Sequence, residues 1–138
     1  KADTAEGRTW TGSSSWKDYS VEAKVKVENF NGSNCAFVCA RYKDGNNYYA
    51  ASLYNNSGGK LQIRRKSKGS TKILVSKPYP LTSGVWYTVK LEVKGEQINM
   101  YVNGELELTA TDDTLTSGGI GLIAYKVQAK FDDVIVAE

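Results

Sequence analysis

Apolar and polar residues alternate along most of this chain with a period of two, the period of a half-buried β-strand. "YSVEAKVKV" places Tyr, Val and Ala on one face and Ser, Glu and Lys on the other; "WYTVKLEVK" does the same with Tyr, Val and Leu against Thr, Lys and Glu. Turn signals interrupt the pattern at short, regular intervals, and no stretch sustains a helical period. The spacing predicts strands over 20–28, 35–42, 48–54, 60–66, 71–76, 86–94, 97–102, 105–111, 118–125 and 129–137. With no linker, repeat or low-complexity block, this reads as all-β: a single two-sheet antiparallel β-sandwich spanning 1–138.

Register sharpens the reading, because paired residues share a face and a one-residue slip would invert it. A two-residue Gly95-Glu96 turn pairs Val93 with Ile98, Leu91 with Met100 and Val89 with Val102, all apolar. For the next hairpin a three-residue turn at Asn103-Gly104 is preferred, which sets Met100 and Ile98 opposite Leu106 and Leu108. In "ARYKDGNNYYAASLY" an odd-length loop around Asp44-Gly45-Asn46 pairs Phe37 with Leu53, Cys39 with Ala51 and Arg41 with Tyr49 as a core face. The other face then sets Tyr42 beside Tyr48, with small residues between them and Tyr54, like the floor of a shallow groove. In "FDDV", Phe131, Val134 and Val136 cannot share a face in a regular strand, so a bulge is predicted at Asp132-Asp133.

At 138 residues and 41% hydrophobic content, the chain can bury a core without metal or disulfide staples and is too apolar for disorder. No apolar run approaches the ~18 residues of a membrane span. The sequence starts at Lys1 without Met or a signal-peptide pattern, and reads as a mature product or a module excised from a longer protein. Histidine is absent, which removes Ser-His and Cys-His nucleophile systems and every His-containing zinc site. Cys35 and Cys39 lie four residues apart in one strand, roughly 13 Å at ~3.3 Å per residue. That exceeds the ~7 Å reach of a disulfide, so two buried thiols are expected, unusual for a secreted protein and a hint of a mild redox setting. The net charge of +3 is unevenly spread: Gly45 to Leu91 holds no Asp or Glu but includes Lys60, Arg64, Arg65, Lys66, Lys68, Lys72, Lys77 and Lys90. This is either a solvated basic face or an attraction to an anionic partner.

The order W-x-D-Y (Trp16 to Tyr19), ARY…NYY, W-Y-x-V-K-L-E-V with its V-N-G turn, and the closing G-x-I-G-L…F-D-D-V resembles the concanavalin A-like lectin/glucanase superfamily. More closely it is similar to the laminin G-like jelly-roll modules attached to bacterial polysaccharide-degrading enzymes, over roughly residues 8–137. The resemblance implies a concanavalin A-like jelly roll, a secreted, extracellular setting, a polysaccharide or oligosaccharide ligand and an attached catalytic domain. Such modules usually carry an extra N-terminal strand; only "KADTAEGRTWTGSSS" precedes W-x-D-Y here.

Catalytic relatives on this fold align acids as E-x-D-x-x-E, since glycoside hydrolysis needs two carboxylates ~5–9 Å apart. No such motif occurs, and Glu105 and Glu107 read as solvated. No G-x-S-x-G elbow or phosphate loop appears, and "RRKSKG" alone is no nucleic-acid motif. The expectation is a non-enzyme that binds neither nucleic acid nor membrane. Calcium sites implied by the resemblance use carboxylates near the C-terminal strand. Asp132 and Asp133, helped by Asp3, Glu6 or carbonyls, would form one, the alternative being plain strand-end charges; no cofactor is otherwise required.

Sugars offer apolar C–H faces to aromatic rings and hydroxyls to planar polar groups. Tyr42, Tyr48 and Tyr54 would supply the rings, and Arg41, Asp44, Asn46 and Asn47 the polar partners. Trp16 and Trp86 read as core or rim packing, while Tyr101 and Tyr125 are undecided. The functional expectation is a non-catalytic carbohydrate-binding module that holds an attached enzyme on plant cell-wall or related polysaccharide, with a pectin-like anionic glycan as a sub-reading. The alternative is a structural domain that packs on a neighbouring catalytic domain and binds no sugar.

Overall fold

The structure, a computed structural model, describes residues 6–28, 34–55, 58–125 and 129–138, with 6–10, 34, 55 and 125 described by backbone only. Among the described residues the chain forms eleven strands. They are β1 (Glu6–Thr11), β2 (Tyr19–Val27), β3 (Asn34–Asp44), β4 (Asn47–Asn55), β5 (Lys60–Ser67), β6 (Ser70–Pro78), β7 (Trp86–Lys94), β8 (Gln97–Val102), β9 (Glu105–Thr111), β10 (Gly119–Tyr125) and β11 (Ala129–Ala137). One sheet has the order β1-β10-β3-β4-β5-β6 and the other β11-β2-β7-β8-β9, with every neighbouring pair antiparallel. The all-β sandwich and ten of the strands match the alternation. The eleventh, β1, supplies the N-terminal strand that the short leading segment had left in doubt, and it pairs with β10.

Between the sheets, Val21, Ala23 and Val25 of β2, Val89, Leu91 and Val93 of β7, and Ile98, Met100 and Val102 of β8 face Ala36, Val38 and Ala40 of β3. Tyr49, Ala51 and Leu53 of β4 and Leu61 and Ile63 of β5 complete that wall. Each large aliphatic buried here contributes roughly 1.5–3 kcal/mol. The β7–β8 hairpin has the predicted register, Val93↔Ile98, Leu91↔Met100 and Val89↔Val102.

Two other hairpins correct the sequence-based register, both through bulges. At β8–β9 the turn is the two-residue Asn103-Gly104, both at positive φ (52° and 84°), the geometry of a twisted hairpin turn. A register shift after Tyr101↔Leu106 then brings Leu108 opposite Met100 and Ala110 opposite Ile98. Leu106 is therefore exposed instead of facing Met100. At β3–β4 the pairs are Phe37↔Ser52, Val38↔Ala51, Cys39↔Ala50 and Ala40↔Tyr49, one residue off the expected register. The irregularity lies between Ala40 and Asp44, where Arg41 takes a left-handed φ of 48°. As a result the faces of β4 are as expected, while those of β3 up to Ala40 are inverted: Ala36, Val38 and Ala40 face the core, and Phe37 and Cys39 face outward with Tyr48.

The bulge expected in "FDDV" is present between Asp132 and Ile135. Cys35 and Cys39 are buried thiols on that outward face of β3, not joined by a disulfide. No helix among the described residues is long and apolar enough to cross a membrane.

Candidate functional site

The sequence-based site residues divide into three groups. Arg41 is 2% exposed and points into the end of the sandwich, away from the tyrosines. Its Nε donates to the Lys17 carbonyl (3.0 Å), and its Nη1 to the carbonyls of Gly95 (2.9 Å) and Leu115 (3.0 Å). Nη2 reaches Asp18 Oδ1 at 3.3 Å. The Arg41 amide donates to the Tyr19 hydroxyl, which in turn donates to the carbonyls of Gly118 and Gly119. Burial pushes the Tyr19 pKa up to about 12, so this hydroxyl stays a donor. W-x-D-Y is thus a structural signature here: Asp18 also accepts from the Gly95 amide, and Trp16 packs edge-on against Tyr19 at 5.6 Å.

The hairpin end forms the second group. Asp44 Oδ1 accepts from the Asn46 amide and from Asn47 Nδ2, which hold its carboxyl below the usual range. Asn47 Oδ1 accepts from the Lys68 amide, and the Asn46 carbonyl from the Gly69 amide. These three residues tie the β3–β4 turn to the β5–β6 turn.

The third group lies on the outer face of the six-stranded sheet, and it is more covered than the groove floor expected from sequence. Tyr42 stacks on Tyr48 (5.5 Å between ring centres, 16° between planes), and both are 5% exposed. They join Cys35, Phe37, Cys39, Ala50 and Ile123 in a second, smaller apolar cluster, with Tyr54 half-buried at its other end.

Beside this cluster runs a row that the sequence reading treated only as bulk positive charge. The β4–β5 register pairs Tyr48 with Lys66, Ala50 with Arg64, Ser52 with Gln62 and Tyr54 with Lys60, so all eight residues share the outer face. The Lys66 ammonium sits 6.0 Å from the Tyr48 ring centre. The Arg64 guanidinium lies 5.0 Å from the ring centre of Phe37 and 5.1 Å from that of Tyr54, cation–π distances. Its Nε donates to Gln62 Oε1 at 2.8 Å. Alternation alone would have set Arg64 and Lys66 apart from Arg65, had the β4–β5 pairing been worked through from sequence.

Arg65 points the other way, and its Nη1 pairs with Asp112 (2.5 Å). Glu107, expected to be solvated, pairs with Lys77 at 2.6 Å. On the five-stranded sheet Trp86 is exposed at 42%, with the Lys26 ammonium 5.2 Å from its ring, where rim or core packing was expected.

Asp132 and Asp133, the two carboxylates of the calcium reading, both make contacts within the chain. Asp133 pairs with Lys24 (3.0 Å) and Asp132 Oδ1 accepts from the Asp133 amide. No group of three or more acids or cysteines is placed to hold a metal among the described residues. Calcium takes six to eight oxygens, more than these two carboxylates supply. Asp3 and the side chains of Glu6 and Tyr125 lie outside the described residues.

Two antiparallel sheets packed around one core define the class as a β-sandwich. Residues 3–124 match the model of the concanavalin A-like lectin/glucanases superfamily, and the chain belongs to that family. It is 23% identical over 142 residues to a levanase of Bacillus subtilis, covering 96% of this chain but 21% of that enzyme. It is 28% identical over 102 residues to an extracellular exo-alpha-L-arabinofuranosidase of Streptomyces chartreusis, covering 74% of this chain and 12% of that enzyme. Among solved structures, the carbohydrate-binding module CBM66 from Bacillus subtilis superposes with a TM-score of 0.88 at 20% identity, over all of this chain and 84% of that one. The chain therefore spans about a fifth or less of the curated enzymes it matches.

Proposed function

We propose that this chain is a non-catalytic carbohydrate-binding module, which holds an attached, extracellular polysaccharide-degrading enzyme at its substrate by raising local concentration. The carrying observation is the outer face of the six-stranded sheet, where the half-buried Tyr54 ring and the row of Lys60, Arg64 and Lys66 overlie a buried aromatic cluster. The likeness to a solved carbohydrate-binding module and to short stretches of two glycan-acting enzymes supports this reading. An anionic, pectin-like glycan is the finer reading, since the 45–91 segment that supplies the row has no acid. Affinity electrophoresis tests both: the folded module should be retarded by de-esterified pectin, and raising salt from 0.05 to 0.5 M (roughly a threefold cut in screening length) should release it. Salt-independent retardation by neutral glucans or galactans alone would overturn the anionic version. The alternative, a structural domain docked on its neighbour, draws support from Val134, Ile135 and Val136, exposed in succession on edge strand β11; it predicts no retardation by any polysaccharide.

A further inference from the structure

Arg64 occupies an unusual position for a surface cation. It starts on β5, but its guanidinium reaches the Phe37 ring on β3, two strands away, and the Tyr54 ring on β4. Ser52 of β4 is the register partner of both Phe37 and Gln62, so the Arg64 side chain crosses the sheet beside Ser52. The Ser52 side chain is fully buried there, and its hydroxyl has no hydrogen-bond partner among the described residues. Leaving a buried hydroxyl unsatisfied costs on the order of 1–3 kcal/mol. Such a group in a folded protein calls for an explanation, a ligand or bound water being the usual ones.

The charge is unmatched too. Arg65 pairs with Asp112 and Lys77 with Glu107, but among the described residues Arg64 has no carboxylate partner, and its only hydrogen bond is from Nε to Gln62. Among the described residues neither Nη group has a hydrogen-bond partner. A guanidinium fixed on two aromatic rings and a side-chain amide has already lost most of its rotamer freedom, so it binds with little further ordering cost. Its planar fork matches a carboxylate, two parallel N–H···O bonds to two oxygens.

Resting on the carbohydrate-binding reading above, we infer that Arg64 is the specificity-determining residue of the outer face, taking the carboxylate of a uronic acid residue in an acidic glycan. Phe37 and Tyr54 hold the guanidinium flat, and Gln62 fixes its Nε side. The basic segment as a whole would attract any polyanion; Arg64 adds the discrimination between a carboxylate and its ester.

The test is affinity electrophoresis of the whole chain on polygalacturonate, on the same polymer methyl-esterified, and on a neutral galactan. Wild type is compared with Arg64→Lys, Arg64→Met and, as a charge control on the opposite side of the sheet, Lys72→Met; thermal melts establish that each is folded. The expected result is retention on polygalacturonate that falls at least tenfold on esterification. Arg64→Lys, which keeps the charge and loses the fork, should weaken it on the order of tenfold, as for loss of one charge-assisted hydrogen bond. Arg64→Met should abolish it, and Lys72→Met should leave it within twofold. Equal binding by folded Arg64→Lys and wild type, or an equal loss in Lys72→Met and Arg64→Met, overturns the role of Arg64 while leaving the module reading intact. Retention on the neutral polymer alone overturns the carboxylate, and no retention of wild type on any polymer overturns the module reading itself.

Discussion

Arg41 is the residue whose role changes most between sequence and structure. An arginine beside a D-G-N-N turn reads as a wet, ligand-facing group, yet a left-handed bulge turns it inward to bind three backbone carbonyls from three separate segments. Replacing it with Met leaves the buried Leu115 carbonyl without its donor, at about 1–3 kcal/mol, and strips the part-buried Lys17 and Gly95 carbonyls of theirs. Arg41→Met should therefore lower unfolding stability by about 2–3 kcal/mol, read by urea denaturation, without changing polysaccharide retention of the folded fraction. Gly118 is the other half of this joint. A Cβ there would fall 2.4 Å from the Arg41 carbonyl carbon and 2.7 Å from the Tyr42 nitrogen, both backbone atoms that cannot swing aside. Gly118→Ala should cost about 2–4 kcal/mol, visible as a lowered denaturation midpoint.

At the scale of strands and hairpins, alternation was a sufficient guide wherever pairing is regular. The faces of β2, β4, β7 and β8 follow directly from period two, and the Gly95-Glu96 turn from its flanking apolar pairs. It failed where a bulge adds a residue, because one extra residue inverts every assignment beyond it. Alternation without the bulge puts Phe37 and Cys39 inward, and Leu106 opposite Met100. Adjacent arginines hid the site in another way: composition sees "RRK" as one patch, while the strand sends Arg64 to the rings and Arg65 to Asp112. The Asn103-Gly104 turn yields a direct check. Both residues sit at positive φ, and Asn103 Oδ1 also accepts from the Thr88 amide. The double change Asn103→Ala, Gly104→Ala should cost about 1–2 kcal/mol, measured in the same denaturant series.

Across the whole molecule, one network joins β4 and β5 to the segment that follows β9. The Tyr49 hydroxyl donates to Asp112 Oδ1 (2.6 Å), Thr114's amide to the same oxygen (2.9 Å), and Arg65 to Oδ2. Burial alone would raise the Asp112 pKa, but the hydrogen bonds from Tyr49, Thr114 and Arg65 outweigh it and hold the carboxyl below its ordinary range. A carboxylate with a depressed folded pKa stabilises the fold fully above its unfolded pKa of about 3.9 and loses that contribution as pH falls through the folded value. Stability should drop as pH is lowered below about 4, and Asp112→Asn should flatten this acid limb while lowering the plateau at neutral pH; an unchanged acid slope would count against the network. The outward row of β5 has a consequence of another kind. Lys60, Gln62, Arg64 and Lys66 project outward from one strand whose alternate residues, Leu61 and Ile63, anchor it in the core. On the carbohydrate-binding proposal, ligand preference and foldedness lie on opposite sides of the same eight residues. A swap of only the outward four is a natural starting point for a library of modules that share one scaffold and differ in the glycan they hold.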